Sequence, residues 1–187
     1  MRTRRNVAGL VVAVVVALVL AGCVPPPPHV IPTSEPSSAP VFASNAAALA
    51  AAKKAFAAYL AASDQVANDG GTNVDRLASM DSPAQLARDK VTFAKLRTAG
   101  EHTSGMSNFS HFTLQSAESS KRGFEEVAAY ACIDISQTQL LDAGGNQINA
   151  VRPSGVPLIL TFVNVRQGDR TLLLDRSVTW DGRNFCS

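Results

Sequence analysis

Residues 125–136 read EEVAAYACIDIS. Val127, Ala129, Ala131, Ile133 and Ile135 alternate there with Ala128, Tyr130, Cys132 and Asp134. A period of two is that of a β-strand whose two faces meet different surroundings. One face is uniformly apolar and belongs to a core. The other sets a phenol, a thiol and a carboxylate side by side.

The same alternation continues outward. Pro157–Arg166 and Thr171–Trp180 read as two more strands, joined by QGDR as a hairpin. DAGGN, at 142–146, is a turn, and a further strand is expected within Met106–Ser116. Before Gly100 the period is helical. In residues 45–67 the larger apolar groups Leu49, Phe56, Tyr59, Leu60 and Val66 keep to one stripe, with Lys53 and Lys54 turned to solvent. Ser44 or Asn45 can cap that helix, and Asn68–Gly71 can end it. A short helix is expected over Val74–Met80. The stretch DSPAQLARDKVTFAKLRTAG, residues 81–100, then starts a second long helix with Ser82 as cap, Pro83 at the first helical position and Gln85 completing a capping box. Leu86, Phe93 and Leu96 form its inner stripe; Arg88, Asp89, Lys90, Lys95 and Arg97 read as its solvated face. Helices followed by strands imply an α+β fold, with N-terminal helices packed in a curved antiparallel sheet of four or five strands.

The front of the chain is built differently. Arg2, Arg4 and Arg5 precede a run from Val7 to Leu20 that holds only apolar residues and one glycine, the layout of an export signal. Leu20-Ala21-Gly22-Cys23 closes the run and resembles the bacterial lipobox. The resemblance implies that Cys23 receives a diacylglyceryl group, becomes the first residue of the mature chain, and anchors it to the outer face of the bacterial cell membrane. Two acyl chains hold far better than one, at about 0.8 kcal/mol per buried methylene. Seven of the ten prolines lie between Pro25 and Pro40. Proline-rich sequence extends about 3.1 Å per residue, so this segment is a stalk that can hold a domain roughly 50 Å off the lipid. The expected organisation is a signal peptide over 1–22, a lipidated cysteine and stalk over 23–43, and one α+β domain over 44–187.

Charge and cysteines narrow the function. Removing Arg2, Arg4 and Arg5 from 17 basic residues leaves 14 against 15 acidic ones, a balance of −1. A near-neutral domain without a basic cluster gives nucleic acid no electrostatic footing. There are three cysteines. With Cys23 lipidated, Cys132 and Cys186 are the remaining pair, in a compartment where disulfides persist. Closing so long a loop would contribute about 4 kcal/mol in the chain-entropy model.

The order and length of elements over 44–187 resemble the nuclear transport factor 2-like cone, in which a long first helix lies in the concavity of a curved sheet. VAAYACIDIS at 127–136, followed by DAGGN, Trp180 and Cys186, is similar to uncharacterised actinobacterial lipoproteins in which a lipobox, a stalk and two late cysteines recur together. Enzymes on such a cone imply a Tyr, Asp and His group, here Tyr130, Asp134 and His111, acting as a dehydratase or isomerase. The alternative is that Tyr130 packs at the rim, Asp134 is solvated or hydrogen-bonded at a strand end, and His111 is exposed. His102 and His111 stand nine apart without a carboxylate or thiol at ligand spacing, so no metal site is expected. No G-x-S-x-G elbow or phosphate-loop motif is present, no cofactor is called for, and Trp180 reads as a core residue. The expected function is a lipid-anchored extracytoplasmic binding or interaction module for a protein, a peptide or a small apolar ligand. A pocket enzyme and a structural or protective envelope lipoprotein, including one carried by mobile DNA, are the alternatives.

Overall fold

The structure is a computed structural model that describes residues 39–120, 122–148 and 152–186. The signal segment, Cys23 and the stalk up to residue 38 lie outside the described residues. None of the described helices is long and apolar enough to cross a membrane.

Two helices and a 3-10 turn come first: α1 (Asn45–Asn68), the 3-10 turn Val74–Ser79, and α2 (Pro83–Ala99). The Ser44 hydroxyl accepts from the Ala47 N–H, and the Ser82 hydroxyl from the Gln85 N–H, so both caps form as the residue types require. The reciprocal half of the capping box does not form. Gln85 turns inward to Asp89 instead, and the Ser82 N–H donates to the Leu174 carbonyl. At the end of α1, Gly71 has φ +75 and lies so close to α2 that an added Cβ would sit 2.3 Å from the Phe93 carbonyl oxygen. Only glycine fits both the backbone and the space.

Six strands follow: β1 (His102–Ser104), β2 (Asn108–Ser119), β3 (Glu125–Asp134), β4 (Gln139–Leu141), β5 (Gly155–Val163) and β6 (Leu173–Thr179). They make two antiparallel sheets, β2-β3-β5-β6 and a small β1-β4 pair. The fold is therefore α+β, with the second sheet an addition to the expected pattern. β3 ends at Asp134, short of the predicted Ile135.

One face of β3 behaves as its spelling demands. Val127, Ala129 and Ala131 are fully buried, and their partners Phe162, Leu160 and Leu158 on β5 complete the layer. Alanines on that face leave room for large side chains from elsewhere. Phe56 of α1 fills it, with ring centroids 5.0 Å from Phe109, 5.9 Å from Phe112 and 6.5 Å from Phe162. Phe109 and Phe112 stand three apart on one strand, an odd spacing that should send them to opposite faces. A bulge reconciles them: Ser110 pairs with Cys132 and Thr113 with Tyr130, so His111 and Phe112 together oppose the single residue Ala131. His111 carries the kink, at φ +50. The entering chain is fastened to the same layer, since the Glu125 carboxylate accepts from the Val41 N–H at 2.6 Å and Phe42 packs against the core.

Candidate functional site

The other face of β3, turned away from α1, is covered by the C-terminal segment. β6 delivers Trp180 next to β5, where its N–H donates to the Pro157 carbonyl. The chain then turns back over the sheet, the indole N–H donating to the Arg183 carbonyl at 3.2 Å. Gly182 lies against the indole, where a Cβ would come within 2.5 Å of the ring. Cys186 ends the turn bonded to Cys132, 54 residues earlier, with Cα atoms 5.5 Å apart. Gly155 leaves the space the crosslink needs, because a Cβ there would meet that of Cys186 at 3.1 Å.

This return stroke builds a pocket. Tyr130 stands between Thr113 on β2 and Ile159 on β5. Trp180 and Phe185 each meet its ring edge-on, with centroids 5.8 Å away and planes at 84° and 77°. With exposed His111 and Thr113 they line a shallow cavity of about 340 Å³. That volume lies at the lower end of the range for small-ligand sites, and aromatic walls with a few polar groups are their common lining. Edge-to-face pairs contribute about 0.5–1.5 kcal/mol each beyond buried area, so the walls hold one another upright. The bulge is what turns His111 to the cavity side while Phe112 goes into the core. The ring Nδ1 of His111 pairs with the Ser110 hydroxyl at 3.0 Å.

Tyr130, His111 and Asp134 all belong to this outer face, yet only the first two share the pocket. Asp134 is exposed and lines a separate polar hollow of about 300 Å³ beside the Cys132–Cys186 disulfide. There its carboxylate accepts from the Ser136 N–H at 2.9 Å, which holds its pKa below the usual carboxylate value. The helix-facing side, where a cone enzyme would keep its acid and base, is filled at this level by Phe56, Phe109, Phe112 and Phe162. Trp180 is not in the core cluster either; it is half-buried as a wall of the outer pocket. Among the described residues no group of three His, Cys, Asp or Glu side chains converges as a metal site would require.

A second cluster lies under the helices and includes a residue assigned above to the solvated face. Asp89 is only 7% exposed, because it sits four positions before Phe93 on the stripe that α2 turns inward. It accepts from the Tyr59 hydroxyl at 3.1 Å and from the Gln85 side-chain amide at 2.9 Å. Asp81, next to it, is 2% exposed. Burial, then the neighbouring Asp89 charge, pushes the Asp81 pKa up to about 8; burial also raises that of Asp89. Burial and the same two carboxylates push the Tyr59 phenol well above its usual value. The helical spacing 85–89–93 was the available signal, and an acidic side chain on that stripe obscured it.

No protein-family model matches the chain, and no curated protein matches it. Among solved structures, it is similar to the intermembrane space region of the chloroplast protein ARC6. The identity is 10%, over 70% of this chain and 95% of that one, with a TM-score of 0.48. It is similar also to a periplasmic fragment of TraM, at 9% identity over 74% of this chain and 98% of that one, with a TM-score of 0.45.

Proposed function

We propose that the chain is a lipid-anchored, extracytoplasmic binding module. Its domain, on a cone of the nuclear transport factor 2-like type, takes a small apolar ligand or an apolar side chain of a protein partner at the outer-face pocket. The observation that carries this reading is the pocket itself, with Tyr130, Trp180 and Phe185 standing perpendicular over an otherwise ordinary strand face. The disulfide supports an extracytoplasmic setting, since such bonds persist where thiols are not kept reduced. The apolar run, the lipobox-like tetrad and the proline-rich stretch support export, anchoring at Cys23 and reach. No lining residue carries a fixed charge, which favours an uncharged ligand over phosphate, carboxylate or amine. The enzyme alternative is weaker, because Asp134 does not join His111 and Tyr130.

Trp180 is the only tryptophan, so its emission reports the pocket directly. Full-length protein in phospholipid nanodiscs, titrated with benzyl alcohol as a small uncharged aromatic probe, should give a saturable change in Trp180 emission that Tyr130→Ala abolishes. A linear response of equal size in both proteins would contradict the reading. Anchoring is checked separately by intact mass: Cys23→Ala should lose the diacylglyceryl increment.

A further inference from the structure

The helix-covered side holds an arrangement that binding at the outer pocket does not use. Both carboxylate oxygens of Asp81 are fully buried and have no hydrogen-bond partner among the described residues. An anion cannot be kept there without a donor, whereas a neutral carboxylic acid needs only an acceptor. Asp89 is the acceptor at hand, and its own charge is already met by Tyr59 and Gln85. Two buried carboxylates side by side cannot both ionise cheaply.

The backbone makes this pair consequential. Asp81 forms a parallel bridge with Leu174 at the edge of β6. The Leu174 N–H donates to the Met80 carbonyl and the Ser82 N–H to the Leu174 carbonyl, each at 2.8 Å. Asp81 sits between those two bonds, and Ser82 caps α2. Its side chain cannot withdraw to water without disturbing both the bridge and the helix start. We propose that Asp81 and Asp89 share one proton in the folded domain, and that this proton is a latch fixing the start of α2 to β6, closed in acid and loosened in base.

Among the described residues the surroundings offer no substitute for the proton. From α1 come Tyr59, already a donor to Asp89, and Ser63, one turn further on beside the Tyr59 phenol. From α2 come Gln85, Asp89 and Arg88. Among the described residues the guanidinium of Arg88 is the one positive charge acting on the pair, and it is bound to the Asp175 carbonyl on β6. β6 otherwise presents the Leu174 backbone. The sign follows from the raised Asp81 pKa. The unfolded chain releases this proton through the ordinary carboxylate range, while the folded domain keeps it up to about pH 8. Stability from the latch is therefore complete below the ordinary carboxylate pKa and is lost as pH rises towards 8. The unfolding equilibrium constant should grow up to about tenfold per pH unit in that window.

The test compares full-length wild type with Asp81→Asn by urea unfolding between pH 5 and pH 9. Asparagine keeps the shape and donates an amide N–H to Asp89 in place of the acid proton, without a charge to lose. The variant should lie nearest to wild type at pH 5, exceed it by a margin that widens towards pH 8, and show a flatter profile; the difference between the two curves removes the contribution of other titrating groups. Parallel curves, or a variant weaker at every pH, would overturn the proposal. Carbon-13 titration of the wild-type aspartate carboxyls needs no variant: one should titrate far above the ordinary range, and all titrating below pH 5 would overturn it equally. Neither readout depends on the outer pocket, so this proposal and the ligand-binding one stand or fall separately.

Discussion

The two faces of β3 are finished by opposite means. Towards α1, alanines at 129 and 131 accept aromatic volume from α1 and β2, and the surface is closed by packing alone. On the far side the strand offers Tyr130 and Cys132, and the surface is closed by a tail of a few residues tied down covalently. Packing leaves no vacancy and so builds stability. A tethered tail covers the sheet incompletely, and the gap between its aromatic side chains is the cavity. Stability and binding should therefore separate cleanly between the two faces.

The largest break should come from the packed face. Phe56→Ala removes the ring that touches Phe109, Phe112 and Phe162, and should cost about 3–5 kcal/mol in urea unfolding. While the protein remains folded, the Trp180 response to probe should be unchanged. Gly71→Ala acts at the junction of the helices, where φ is +75 and the added methyl meets the Phe93 carbonyl. Strain of this kind costs on the order of 1–3 kcal/mol, read as a lowered midpoint of thermal unfolding, again with probe binding retained. The smallest effect on stability, within about 0.5 kcal/mol, is expected for exposed His111→Gly, because glycine adopts the positive φ of the bulge without penalty. Removing the imidazole from the pocket wall should nonetheless weaken probe binding. A loss of stability without a change in binding would reverse the assignment of His111 to the outer face.

The contrast also explains what could be read before the structure. Both long helices lie within a residue of their expected limits, because Ser44, Ser82 and Gly100 are chemically specific punctuation. The inner face of β3 was legible for the same reason: alternation is local. The β1-β4 pair was not, since three-residue strands such as His102–Ser104 carry no period. Asp89 reads as solvated because a charge suggests exposure more strongly than its position on the Phe93 stripe suggests burial. Of the site, the sequence points to Tyr130 and His111, but Trp180 reads there as a core residue and Phe185 carries no local signal. Their place depends on the tail reversing over the sheet, which is set by a disulfide to a cysteine 54 residues earlier rather than by neighbouring sequence. The bulge that turns His111 outward is equally invisible, because it is fixed by the need to send Phe109 and Phe112 to one face.

The outer pocket is built by the crosslinked tail, two of whose aromatic side chains are its walls. The direct measurement is Trp180 emission during probe titration of the full-length protein, before and after reduction of Cys132–Cys186, with far-ultraviolet circular dichroism followed in parallel. Loss of saturable binding on reduction, with helix and sheet signals retained, is the predicted result. Binding that survives reduction undiminished, with Trp180 emission unmoved, would contradict it.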